Sequence, residues 1–136
     1  MATAIKNKLS FLVAAMALVL SSGCSTLSDA KNAEGTGLKQ NYNASFDPSW
    51  KAASDSLSEL KLDLASENKK EGYMLAQNGL GAFSYGENVA IFVRKISDAM
   101  TSIEVVSKKV MATNIFAPDW TKDIFTKIDS KIERAK

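Results

Sequence analysis

Cys24 is the one cysteine among 136 residues, and the chain has no histidine. The side chains left for nucleophilic or metal chemistry near neutral pH are a single thiol, hydroxyls, lysines and carboxylates. Two spacings among them are ones that chemistry uses. Asp55 and Glu59 stand four residues apart in a stretch of helical periodicity, and paired carboxylates can do acid–base work; on an exposed helix face the same pair is solvated surface charge. Gly79 and Gly81 form a Gly-x-Gly, but a phosphate loop needs a helix N-terminus behind it to aim N–H groups at the anion. The next apolar stretch is Val89-Ala90-Ile91-Phe92-Val93, β-branched and strand-like, so these glycines read as a turn or bulge between strands. No Asp or Glu clusters in a glycine-bounded loop. The expectation is a chain with no catalytic residues, no metal and no cofactor. Aromatic side chains leave a second possibility: Phe92, Phe116, Trp120 and Phe125 lining a groove for a small apolar molecule, against the alternative that they are core.

The thiol is placed by the residues before it. Residues 1–8 carry Lys6 and Lys8 and no acid, residues 9–20 are apolar except for Ser10, and small residues come next. This is the three-part layout of a secretory signal. The run is shorter than the roughly 18 apolar residues a spanning helix needs. Its ending, Leu20-Ser21-Ser22-Gly23-Cys24, resembles the lipobox of bacterial lipoproteins, in which small residues let a peptidase hold extended backbone and the cysteine thiol becomes a diacylglyceryl thioether. Ser21 stands where leucine is commonest. The resemblance implies a signal peptide over 1–23, a lipid anchor on Cys24 and, because Ser25 is not aspartate, export to the inner leaflet of the outer membrane, facing the periplasm.

Charge excludes one class of partner. The full chain has 17 basic and 15 acidic residues; loss of Lys6 and Lys8 with the signal brings the remainder to neutrality. Neither nucleic-acid binding nor a polybasic membrane patch is supported by that balance. Residues 24–40 are polar and small, with Leu27 and Leu38 the only large apolar side chains, and are expected to be a flexible tether with a reach of about 20 Å. One domain over 41–136 is then expected.

Within that domain the pattern predicts a strand over 41–46, then a helix from Asp47 as N-cap and Pro48 at the first position, with Trp50, Ala53, Leu57 and Leu60 on one face. Strands are predicted over 62–65, 73–78, 89–97 and 101–109. In the last, Ile103 and Val105 face a core while Glu104 and Val106 share a partly wet side. A closing helix starts at Pro118 or Asp119, with Trp120, Ile124, Ile128 and Ile132 recurring every four residues beside Phe125. The fold class is α+β, two layers, an antiparallel sheet of about five strands with two helices on one face, in the order β-α-β-β-β-β-α.

Trp50 early in its helix, Leu57 and Leu60 at its end, Glu71-Gly72-Tyr73 entering a strand, a long hairpin and a final apolar helix resemble the module repeated in BamC-like lipoproteins. This chain carries one such module, spanning Asn41 to Ile132, with Lys61 where the family often has a helix-ending glycine. The resemblance brings no catalytic residues. It implies a membrane-anchored interaction or accessory module of the cell envelope that docks on another envelope protein through its sheet face or a strand edge. The alternative is a lipoprotein that binds a small apolar ligand.

Overall fold

The structure, a computed structural model, describes residues 25–79, 86–110 and 118–136. Its elements are α1 (Leu27–Lys31), β1 (Leu38–Tyr42), α2 (Phe46–Glu59), β2 (Asp63–Asn68), β3 (Tyr73–Asn78), β4 (Glu87–Lys95), β5 (Thr101–Lys109) and α3 (Trp120–Asp129). The strands form one antiparallel sheet in the order β1-β5-β4-β3-β2. Strand side chains alternate between faces. Met74, Ala76, Val89, Ile91, Val93, Ile103 and Val105 point one way, and on them pack Trp50, Ala53 and Leu57 of α2 and Ile124, Phe125 and Ile128 of α3. This is the expected α+β sheet with two helices on one face.

The helix ends show why the elements stop where they do. The expected Asp47 cap is corrected: α2 begins at Phe46 behind Ser45, so Asp47 lies in the first turn and Pro48 two places inside. Proline fits there because the first turn's N–H groups have no intrahelical acceptor. The first helical bond runs from Ser49 N–H to Ser45 O at 3.2 Å. At the other end, Lys61 takes φ 56°, its N–H reaches Ser58 O, and Leu62 N–H reaches Leu57 O at 3.0 Å. That is a Schellman closure with buried Leu62 returning to the core beside Leu57. A lysine in this left-handed conformation costs about 1 kcal/mol that glycine would not. For α3, Asp119 caps as expected, accepting Thr121 N–H at 3.0 Å.

The second face of the sheet differs from expectation. Residues 25–37 are not a tether. Thr26 and Asp29 form a reciprocal capping box, with Thr26 N–H to Asp29 Oδ2 at 2.7 Å and Asp29 N–H to Thr26 Oγ1 at 3.2 Å, and this starts α1 across the back of the sheet. Ala30 and Ala33 pack there against Leu75, Ala90, Phe92 and Val106. The wet side expected for β5 is therefore corrected too: Glu104 and Val106 are buried. Small side chains suit this cover because they let helical backbone approach the sheet closely, and Gly37 extends the approach. A Cβ there would lie 2.4 Å from Val105 O.

Two carboxylates hold the cover down. Glu104 Oε1 accepts Gly35 N–H at 2.7 Å and Gly37 N–H at 2.8 Å, while Lys39 Nζ stands 3.3 Å from Oε2. Glu34 pairs with Arg94, whose Nη1 also donates to Glu71 O at 2.7 Å and Gly72 O at 2.8 Å. Gly72 belongs to the β2–β3 turn, with φ 66° and no room for a Cβ against Val93 O. The folded domain thus includes residues 25–37 and does not begin at Asn41.

Candidate functional site

With one sheet face under α2 and α3 and part of the other under residues 25–37, backbone hydrogen-bonding capacity remains at the sheet edges. The β2 edge is interrupted by a register shift between Leu64 and Ser66, a feature that discourages further pairing. The β1 edge is different. Asn43 N–H donates to Glu133 O at 2.9 Å, Ala135 N–H donates to Asn41 O at 2.8 Å, and Tyr42 and Arg134 form an antiparallel bridge. Residues 133–135 lie along this edge through a single antiparallel bridge. Because outward backbone groups recur every second residue, those of Lys39 point the same way as those of Asn41 and Asn43.

Beside Lys39 the edge opens into a groove of ≈ 350 Å³ between β1 and α3. Leu38 and Gln40 form one wall, and Thr121, Lys122, Phe125 and Thr126 form the other. Leu38 is 55% exposed, the most exposed large apolar side chain among the described residues. Arg134 and Asp129 close the far end. An exposed leucine, outward backbone groups and a helix wall together are the parts that strand addition uses: main-chain bonds for affinity and alternate side-chain pockets for selectivity.

The closed end is held by a buried phenol. Tyr42 is fully buried, and its hydroxyl donates to Asp129 Oδ1 at 2.8 Å and lies 3.1 Å from Gln40 Oε1; Arg134 pairs with the same carboxylate. Burial, then the Asp129 carboxylate, pushes the phenol well above the ordinary tyrosine range. The group is therefore a neutral brace and no base or nucleophile near pH 7. The protonated form favours the fold, so its contribution is complete below the ordinary value of 10.0 and is lost as pH rises beyond it. Alkaline titration followed by ultraviolet difference absorbance is expected to show at least one of the three tyrosines ionising only as the fold melts. In the Tyr42→Phe variant that late component disappears.

The residues singled out in the sequence do not converge on one site. Cys24 and Phe116 lie outside the described residues, as does Gly81. The four-aromatic groove is corrected. Phe92 is buried on the face covered by Ala30 and Ala33, whereas Phe125 is buried in the opposite cluster and Trp120 packs at its margin, so the sheet separates them. Phe125 keeps one edge in the β1–α3 groove, and Trp120 Nε1 stands 3.5 Å from Glu87 Oε2. Asp55 and Glu59 are solvated partners of lysines: Lys51 Nζ lies 2.6 Å from Asp55, and Glu59 joins α2 to Lys127 and Lys131 beyond it. Hydrogen bonds from Lys131 and Lys127 hold the Glu59 carboxyl below the usual range, the opposite of what a general acid needs. Among the described residues no three potential metal ligands converge. Sequence reasoning missed Gln40, Asp129 and Arg134. Their role comes from the C-terminal residues returning to β1, which periodicity does not encode.

The fold and groove define an α+β domain with a partly occupied sheet edge. Compared with models of known protein families and with curated proteins, the chain matches none.

Proposed function

We propose that this chain is a lipid-anchored envelope module, held by Cys24 at the periplasmic face of the outer membrane, that works by docking an extended segment of another envelope protein along the β1 edge. The observation that carries the docking mode is the antiparallel seat of residues 133–135 on Asn41–Asn43: the edge already accepts an antiparallel segment, and its outward groups continue to Lys39 beside the exposed Leu38. Selectivity would come from the Leu38–Phe125 part of the groove and from the charges of Lys39, Lys122 and Arg134. The lipobox resemblance of Ser21-Ser22-Gly23-Cys24 supports the anchor, and Ser25 supports outer-membrane sorting. The reading is one of binding without turnover. A domain confined to a thin layer at a membrane meets its partner at high effective concentration, so a short edge suffices.

A photo-crosslinking residue at Leu38 in intact cells tests this. One discrete envelope-protein adduct is expected from Leu38 and none from the same residue at exposed Lys51 on α2 or at Asp63 on β2. The adduct is expected to fall when Lys39→Pro removes the outward N–H. Adducts from Asp63 but not from Leu38 would overturn the proposed edge.

A further inference from the structure

The end of the sheet that carries Ser25 is fixed in space. Ser25 N–H donates to Val110 O at 3.0 Å, and Ser25 O accepts Asn88 Nδ2 at 2.8 Å; Asn88 is itself 1% exposed and bonded to Gln77 at 2.8 Å. The Thr26–Asp29 capping box comes immediately after, and α1 continues onto the sheet. Consecutive Cα atoms are only about 3.8 Å apart. An acylated Cys24 would have one peptide unit, not a random-coil linker, between lipid and folded domain.

From this we propose that the domain sits on the lipid surface in one orientation, with the sheet end that carries Ser25, Lys108 and Val110 toward the headgroups and the turn between β4 and β5 pointing away. The inference rests on the lipoprotein reading and extends it from attachment to posture. Among the described residues the charge at this end is mixed. Lys108 and Lys109 close β5 opposite Asn88 and Glu87, Asp29 lies near Lys108 with its carboxyl held low chiefly by its Thr26 hydrogen bonds, and Asp119 caps α3 nearby. Strand β4 has nine residues, so the opposite end stands about 30 Å away along the strands.

The two tryptophans are built-in depth probes, because the fold puts them toward opposite ends. Trp120 N lies 3.4 Å from Ser107 Oγ, and its ring nitrogen stands near Glu87, at the Ser25 end. Trp50 stacks on Phe46 with centroids 5.8 Å apart, and Phe46 lines a groove with Gly72, Val93 and Lys95 at the far end. The test couples Cys24 of the chain from Cys24 to Lys136 to a maleimide phospholipid in vesicles that carry a headgroup-level spin-label quencher. Chemical coupling separates posture from whether cells acylate this cysteine. With Trp50→Phe, the remaining Trp120 is expected to lose most of its emission. With Trp120→Phe, the remaining Trp50 is expected to keep nearly all of it. Inserting ten Gly/Ser residues between Cys24 and Ser25 is expected to abolish the difference, and circular dichroism of each variant shows that the fold is kept. Equal quenching of both tryptophans without the insertion, or stronger quenching of Trp50, would overturn the proposal.

Discussion

Glu104→Ala is expected to release the Gly35–Gly37 end of the cover from the sheet and to destabilise the protein by about 3 kcal/mol. The carboxylate accepts two backbone N–H groups, from Gly35 and Gly37, inside a site where Glu104 is 3% exposed. Hydrogen bonds to a charged partner contribute roughly 1.5–3 kcal/mol each, and a donor left buried without an acceptor costs a similar amount. The Glu34–Arg94 pair and the Ser25 bonds to Val110 and Asn88 remain, but none of them gives Gly35 or Gly37 an acceptor. The cover buries two alanines where the main core buries leucine, isoleucine and aromatic side chains. Lys39 adds little, since its ammonium end is more than half exposed. Hydrogen exchange should then show lost protection at Gly35 and Gly37 while Ile91 and Ile103 stay protected, with dye binding at the uncovered Phe92 and Val106. Glu104→Gln keeps one acceptor oxygen and is expected to fall between the two. Unchanged melting and unchanged exchange in Glu104→Ala would mean the segment is held by something else.

That cover also marks where legibility in the sequence ended. The main layer was legible because its signals are local and redundant. Ile124, Phe125 and Ile128 recur at helical spacing, Ile103 and Val105 alternate, and strands β3 and β5 fall at the expected residues. The second layer was signalled more faintly. Val89-Ala90-Ile91-Phe92-Val93 is a continuous apolar run, which a strand needs only when both its faces are buried, so a second cover was implied by β4 itself. Thr26-Leu27-Ser28-Asp29 has the spacing of a capping box. Polar composition outweighed both signals, because a helix of five residues with alanine as its buried face has too little apolar area to register as periodicity. Glu104 was read as wet for a related reason: a buried carboxylate is recognisable only with its donors, and Gly35 and Gly37 lie 69 and 67 residues away in the chain.

The candidate groove was legible in part. A strand edge was expected as a docking surface, but which edge depends on the C-terminal residues pairing with β1 and on the bulge that interrupts β2, both of which are tertiary. The aromatic groove failed on strand parity. Phe92 is an even position on β4, between Ile91 and Val93, and so faces away from α3.

The second large effect concerns Cys24 and is all-or-none. In the lipobox reading the thiol sulfur forms the thioether, and the signal is removed only after that bond exists. Cys24→Ala deletes the sulfur without altering the apolar run or the small residues before it, so the whole population is expected to remain as the precursor with residues 1–23 attached. Cys24→Ser is expected to do the same, since a hydroxyl at that position is far less nucleophilic than a thiolate. The described domain, from Ser25 onward, carries neither change and is expected to melt as in the parent chain.

The intact mass of the protein extracted from membranes tests the lipid-anchored account most directly. A chain that begins at Cys24 and carries a diacylglyceryl group is the predicted result; a chain that keeps residues 1–23, or begins elsewhere with an unmodified Cys24 thiol, would contradict it.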